Sequence, residues 1–338
     1  MEQRTFPLRM VAWELTRNCN LNCIHCRASA SLGPHTNELT TDECKNVLDG
    51  IAAFAVPTII ITGGEPLMRD DVFEIIEYGT KKGLRLVIAI NGTLLTRVKA
   101  ERLKTSGIKR VSLSLDGIEP ATHDRFRGVE GSFKAVMHAA EILRATGLSF
   151  QINTTITRLN ADIIEAMYAL VRSIGAVAWH IFLLVPVGRG EGLKGVELDA
   201  AMYEEKLHHL CEMEQRNEIE MKVTCAPHYY RIQKERGITP KSGGCLAGKS
   251  FLFISHRGIA QPCGYLDIPS GDIRTAGVQK VWLESDVFNS LRNLSSYKGK
   301  CGRCRFLAIC GGCRARAYEQ TGNILESEPL CSYTFPPA

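Results

Sequence analysis

The sequence predicts an α/β fold in which a parallel sheet with helical crossovers precedes a smaller cysteine-rich unit. Short β-branched or apolar runs alternate with amphipathic stretches from residue 8 to about residue 217. The pattern then breaks into short runs, glycine pairs and thiols. Seven of the 13 cysteines fall between Cys245 and Cys331. Taken in order, apolar and β-branched runs place strands at Met10–Thr16, Thr58–Thr62, Arg85–Ile90, Arg110–Leu115, Ser149–Thr155 and His180–Val185. Helical spacing of apolar residues places helices at Thr41–Ala55, Asp70–Lys82, Thr96–Thr105, Ser132–Thr146, Ala161–Ile174 and Asp199–Gln215. Six strand–helix units in succession imply parallel strands with right-handed crossovers. Periodicity leaves an open doubly wound sheet and a full or partial barrel equally available, and in both the functional groups collect at the C-terminal strand ends. A hairpin is expected at Phe251–Ser255 and Ile259–Cys263, about His256-Arg257-Gly258. The two units are divided as 1–217 and 218–338.

Composition narrows the function. The chain has 338 residues, 45% apolar and 23% charged, with 41 basic and 36 acidic side chains for a formal charge of +5. A chain this long buries roughly three quarters of its unfolded surface and needs no disulfide staples. No basic-then-apolar leader opens it, and no apolar run reaches the roughly 18 residues that span a bilayer, so a cytoplasmic protein outside the membrane is expected. In a reducing compartment, clustered thiols read as metal or iron–sulfur ligands before disulfides. The positive surplus is mild and scattered rather than in runs, so it does not by itself argue for nucleic acid, which is not expected as a partner; it suits an acidic small substrate.

Cys19-x3-Cys23-x2-Cys26 follows the first strand. Three thiolates without a nearby fourth suit a four-iron cluster with one iron open; the alternative is a zinc site completed by His25 or a distant residue. This spacing after a first strand resembles the radical S-adenosylmethionine (SAM) enzymes, which implies a partial (β/α)6 TIM-like barrel. Gly63-Gly64-Glu65-Pro66 resembles the family's GGEP loop, and the resemblance implies that Gly63, Gly64 and Glu65 hold the SAM amino group. It further implies cofactor contacts from His25, Asn91, Ser114, Asp116 and Asn153, from Arg127 near the SAM carboxylate, and from Leu184 with Val185 against adenine.

The later cysteines resemble the SPASM extension of the same enzymes, with a spacing of two rather than three between Cys310 and Cys313. That resemblance implies one auxiliary Fe–S cluster on Cys301, Cys304, Cys310 and Cys331, and another on Cys245, Cys263 and Cys313, which is a ligand short: either Cys225 supplies the fourth thiolate or that iron is left open to substrate. A zinc ribbon on Cys301, Cys304, Cys310 and Cys313 is the alternative. Cys44 and Cys211 lie in helical patterns and read as core residues.

Two substrate classes compete. Peptide-modifying SPASM enzymes often carry a recognition domain ahead of the triplet, and only 18 residues precede Cys19 here. The flank Leu8–Arg17, the exit His25–Ala30 and the tail Cys310–Cys331 resemble the SAM-dependent haem synthases of the sirohaem-derived pathway. The resemblance implies oxidative decarboxylation of two propionates of iron-coproporphyrin III to vinyl groups, giving haem b. It also implies an electron donor such as flavodoxin or ferredoxin. Arg17, Arg27, Arg125, Arg127, Arg189, Arg314 and Arg316 then become candidate carboxylate clamps. His228, and behind it His25 and His180, are candidates to ligate or orient the porphyrin iron. A peptide or small-molecule maturase and a non-enzymatic zinc or Fe–S scaffold are the other readings.

Overall fold

A computed structural model describes residues 6–240 and 242–335, with the side chain of Lys194 left out. Seven strands run parallel and pair in chain order: β1 Met10–Glu14, β2 Thr58–Thr62, β3 Arg85–Ile90, β4 Val111–Ser114, β5 Phe150–Ile156, β6 Ala178–Leu183 and β7 Glu220–Thr224. Three more follow: β8 Phe251–Ile254, β9 Ile259–Gln261 and β10 Gly271–Asp272. The sheet is continuous, β10-β9-β8-β1-β2-β3-β4-β5-β6-β7, and its ends do not pair with each other, as in a partial barrel.

Alternation of side chains decides which face is which. On β1, β2, β3, β5 and β6 one set of alternate residues, including Trp13, Ile59, Ile61, Leu86, Ile88, Trp179 and Ile181, is fully buried in the main core. Helices cover that face. The first, Thr41–Phe54, is fixed at its start by a capping box in which Thr40 Oγ1 accepts from the Glu43 backbone N–H and Glu43 Oε2 accepts from that of Thr40. The opposite face, carrying the polar residues of β4 to β7, lines the concave interior. No described helix is long and apolar enough to cross a membrane.

All six expected strands and all six expected helices are present, with ends shifted by a few residues; the sixth strand begins at Ala178 rather than His180. A short helix over Pro120–Arg127 was not expected. Two differences alter the architecture. β7 extends the parallel sheet beyond residue 217, pairing His180 with Lys222 and Phe182 with Thr224. The expected hairpin forms, but β8 also pairs in parallel with β1, Met10 against Phe251 through Trp13 against Ile254. The cysteine-rich unit is therefore hydrogen-bonded onto the barrel at the strand that launches the cysteine loop.

Candidate active site

The cysteine loop leaves β1 and is held by backbone contacts from elements far away in sequence. Asn22 N–H donates to Arg127 O at 3.1 Å and Ile24 N–H to Phe126 O at 3.0 Å, so the end of the Pro120–Arg127 helix clamps one side. Gly128 closes that helix at φ +67°, and a Cβ there would strike Asn22 O. On the other side Arg189 donates from Nε to Cys23 O at 2.8 Å and from Nη1 to Ala30 O at 2.7 Å. Below, Gly63 and Gly64 pack so closely that a Cβ on either would collide with the backbone carbonyls of Thr16 or Asn18. The two glycines are thus required by the approach of the β2 loop to the cysteine loop.

Cys19, Cys23 and Cys26 line one cavity of about 190 Å³ together with His25, Gly63, Gly64, Asn91, Ser114, Arg127 and Asn153. No Asp, Glu or further Cys among the described residues lines it. His25 is turned aside: its ring packs edge-on to Phe126 at 5.4 Å, with Nε2 3.9 Å from Asp116 Oδ2. Burial pushes its pKa down to about 4, so the ring is neutral. Burial also pushes the Cys19 thiol up to about 11 and raises Cys23. Buried thiolates need a cationic partner, and Arg127 Nη1 is 3.7 Å from Cys23 Sγ. No three described His, Cys, Asp or Glu side chains converge closely enough to hold a single metal ion. Thiols spread around a cavity, with no fourth ligand and a cation alongside, fit an iron–sulfur cluster with one open iron.

Several expected cofactor contacts stand behind the cavity wall. Glu65 is fully buried, and its carboxylate accepts from Leu67 N–H at 3.0 Å and Asn91 N–H at 2.7 Å, tying the β2 loop to the end of β3. Burial outweighs these two bonds and raises its pKa to about 7. Asp116 is fully buried, ion-paired with Arg127 and accepting from Thr155 N–H at 2.7 Å. Burial pushes its pKa up, but the Arg127 guanidinium prevails and holds it below the usual carboxylate value. Neither carboxylate lines the cavity, so both position its walls. Leu184 and Val185 are likewise absent from the lining; Leu184 O accepts from Arg316 and Val185 packs beside Cys313. Asn91 remains at the wall, fixed by Asn20 Oδ1 at 2.9 Å and Thr93.

The arginines are mostly committed. Arg27 bonds Glu14 Oε2 at 3.1 Å and stacks on Phe253, Arg17 bonds Glu14, and Arg125 is exposed. Arg314 and Arg316 are buried among the later cysteines, Arg314 on the carbonyls of Ile324 and Glu326 and near Cys301 Sγ, Arg316 on Glu328. Among the described arginines, Arg27, Arg127 and Arg189 line the cavity, each already engaged.

The later cysteines form two groups. Cys301, Cys304, Cys310 and Cys331 line one small pocket. Cys263, Cys313 and Cys225 pack around a second core with Val185 and Leu266; burial first, and the nearby Cys245 among the lesser causes, raises the pKa of all three, with Cys263 reaching about 12 and Cys313 about 11. Cys225, at φ +60°, packs with this second group. His228 is in the first pocket, not the barrel cavity: it is 1% exposed, stacked edge-on to Tyr203, and neither ring nitrogen has a partner. His180 is inside the barrel but is not part of the cavity lining. Cys44 and Cys211 are core residues, as expected.

Sequence reasoning missed Tyr265, Phe182 and Thr155 in the cavity wall, and the buried His256–Glu14 contact at 2.7 Å that fastens the hairpin to β1. Tyr265 links the two regions: it lines the cavity, and its backbone N–H is 3.4 Å from Cys263 Sγ.

The radical SAM superfamily model matches residues 13–171, and a model for an iron–sulfur cluster-binding domain matches residues 245–305. An AdoMet-dependent heme synthase of Nitratidesulfovibrio vulgaris is 47% identical, covering 98% of this chain and 94% of that protein. One from Methanosarcina barkeri is 45% identical, covering 96% of each. The crystal structure of Streptococcus suis SuiB bound to S-adenosylmethionine superposes with a TM-score of 0.78 over 97% of this chain and 78% of that one; at 18% identity it speaks for the fold.

Proposed function

Because the chain belongs to the radical SAM superfamily and, within it, to the AdoMet-dependent haem synthases, we propose that it converts two propionates of iron-coproporphyrin III to vinyl groups, forming haem b. The observation that carries this is the adjacency of a cavity lined by three cysteines, with no further thiol or carboxylate among its lining, to a second thiol group, joined through Tyr265. Each conversion removes a hydrogen atom from the propionate carbon next to the ring, releases CO2 and leaves one electron to be taken away. When bound, the cluster and SAM supply the 5′-deoxyadenosyl radical that abstracts the hydrogen.

The chain's residues do the rest. Cys19, Cys23 and Cys26 hold the first cluster, and Arg127 offsets thiolate charge while Asp116 holds Arg127 in place. Gly63, Gly64, Asn91, Ser114 and Asn153 form the SAM wall, with Glu65 locking the loop behind it. Cys225, Cys245, Cys263 and Cys313 hold one auxiliary cluster, and Cys301, Cys304, Cys310 and Cys331 the other. Tyr265 lies between the cavity and Cys263 of the first of these groups, where a bound auxiliary cluster would supply an acceptor for the surplus electron. Packed walls around the cavity exclude water from a radical that water would divert. Residues 1–217 with β7 form the barrel, and the remainder the auxiliary-cluster unit. A cytoplasmic setting keeps the thiols reduced, and a flavodoxin or ferredoxin serves as donor.

Anaerobic incubation of the reconstituted protein with SAM, dithionite and iron-coproporphyrin III tests this reading. Haem b and 5′-deoxyadenosine both form if it is right. Deoxyadenosine without porphyrin turnover would reject the substrate and return the chain to the peptide or small-molecule maturases.

A further inference from the structure

The interior face of β5, β6 and β7 carries polar groups that the protein leaves without partners. Met221 and Val223 belong to the core on the outer face, so Lys222 and Thr224 project inward. The register places Asn153 beside His180 and His180 beside Lys222, then Thr155 beside Phe182 and Phe182 beside Thr224. Asn153, Thr155 and Phe182 line the cavity; His180, Lys222 and Thr224 lie beside them on the same interior face, toward the edge strand and outside that lining.

Three features there favour an anion. Gln151 Nε2 donates to His180 Nδ1 at 2.9 Å, which leaves the proton on Nε2, and that nitrogen is buried without a partner. Thr224 Oγ1 is also buried without a partner. Lys222 makes no hydrogen bond or ion pair with the described residues; Glu220, its neighbour on the same face, gives its carboxylate to Arg110 at 3.3 Å. Burial lowers the Lys222 pKa, and the nearby Glu220 carboxylate, which acts to raise it, does not offset that. Arg27, Arg127 and Arg189, the cations of the cavity wall, are already engaged.

We propose that Lys222, with the Nε2–H of His180 and the hydroxyl of Thr224, forms a carboxylate-binding subsite inside the barrel that takes one propionate of the substrate. The subsite rests on the porphyrin reading above. It explains how a cavity whose arginines are spent still receives a tetra-anionic ligand: one uncommitted ammonium and two neutral donors meet one carboxylate.

The test is an anaerobic absorbance titration of cluster-loaded protein with iron-coproporphyrin III, comparing wild type with Lys222→Met, Lys222→Arg and Thr224→Val, alongside KM and kcat. Removing one partner of a desolvated charge pair weakens affinity by roughly tenfold or more. Lys222→Met is expected to lose that much and raise KM, Lys222→Arg to recover most of it, and Thr224→Val to lose several-fold, all with unchanged iron content. Affinity and KM equal to wild type in Lys222→Met overturn the subsite while the function stands. Should Lys222→Met lose its clusters, Thr224→Val decides, and wild-type affinity there also overturns it. If wild type neither binds nor converts iron-coproporphyrin III, the function fails and the subsite with it.

Discussion

The buried pair Asp116–Arg127 is the part of the site whose removal has a calculable cost. Asp116 is fully buried and the Arg127 side chain is 9% exposed, so neither charge can turn to water when its partner is lost. Breaking a buried pair from one side costs about 3–5 kcal/mol, because a charge is left uncompensated. Arg127→Met therefore removes that much and also takes the cation away from Cys23. Unfolding entropy of about 2.1 cal/mol/K per residue gives about 0.7 kcal/mol/K for this chain, so the expected fall in Tm is about 4–7 °C. Asp116→Asn leaves a buried guanidinium short of its anion and costs a similar amount. In the double variant Asp116→Asn/Arg127→Met no unpaired charge remains, so its loss should be smaller than the two single losses added together by about 1–3 kcal/mol. Anaerobic thermal melts of the cluster-loaded proteins measure all three. Strict additivity would refute the idea that the pair is a coupled, desolvated unit. The same samples report on the site, because electron paramagnetic resonance of the reduced N-terminal cluster should change in Arg127→Met and stay near wild type in the remote control Arg97→Met, whose side chain is 72% exposed.

Three other outcomes are expected. Gly64→Ala places a methyl group against the carbonyls of Arg17 and Asn18, so iron should be lost from the N-terminal site while the auxiliary signals persist; full iron content would contradict the close approach. Cys225→Ala should alter the spectrum of one auxiliary cluster and lower iron content, whereas Cys211→Ala, in the core, should do neither; identical spectra would remove Cys225 from the ligand set. The Glu65 carboxyl, raised to about 7 by burial, keeps its proton in the folded state where the unfolded chain releases it from pH 4.5 upward. Its contribution to stability is therefore complete below pH 4.5 and is lost as pH rises through 7. Melts between pH 5 and 8 should show that decline in wild type and a flatter profile in Glu65→Gln, and equal slopes would exclude Glu65 as its source.

How much of this was legible in the sequence depended on the range of the interaction. The cysteine triplet, the Gly63-Gly64 loop and the polar residues ending β3, β4 and β5 are local signals: a few neighbouring residues fix both the conformation and the chemistry. Reading them needed only spacing and the rule that parallel strands present their C-terminal ends to the site. β7 was missed because Glu220–Thr224 alternates charged with apolar residues and is short; only its pairing with β6 makes it a strand. The parallel addition of β8 to β1 joins residues about 240 positions apart, and no periodicity announces it.

The arginines show the same limit from the side of chemistry. Nearness to a motif made seven of them candidate substrate clamps, yet what an arginine binds is settled by which acceptor the fold brings to it. Arg189 lies 166 residues from Cys23, whose carbonyl it holds, and Arg316 lies 132 from Leu184, whose carbonyl it also takes. A guanidinium with five donors is readily absorbed into such scaffolding. Lys222, on the edge strand β7, carried no motif at all, yet its ammonium makes no hydrogen bond with the described residues and is the cation proposed to meet the substrate carboxylate. Sequence proximity identifies residues that build a charged cavity; the partners each one takes in the folded chain decide which of them stay available to bind.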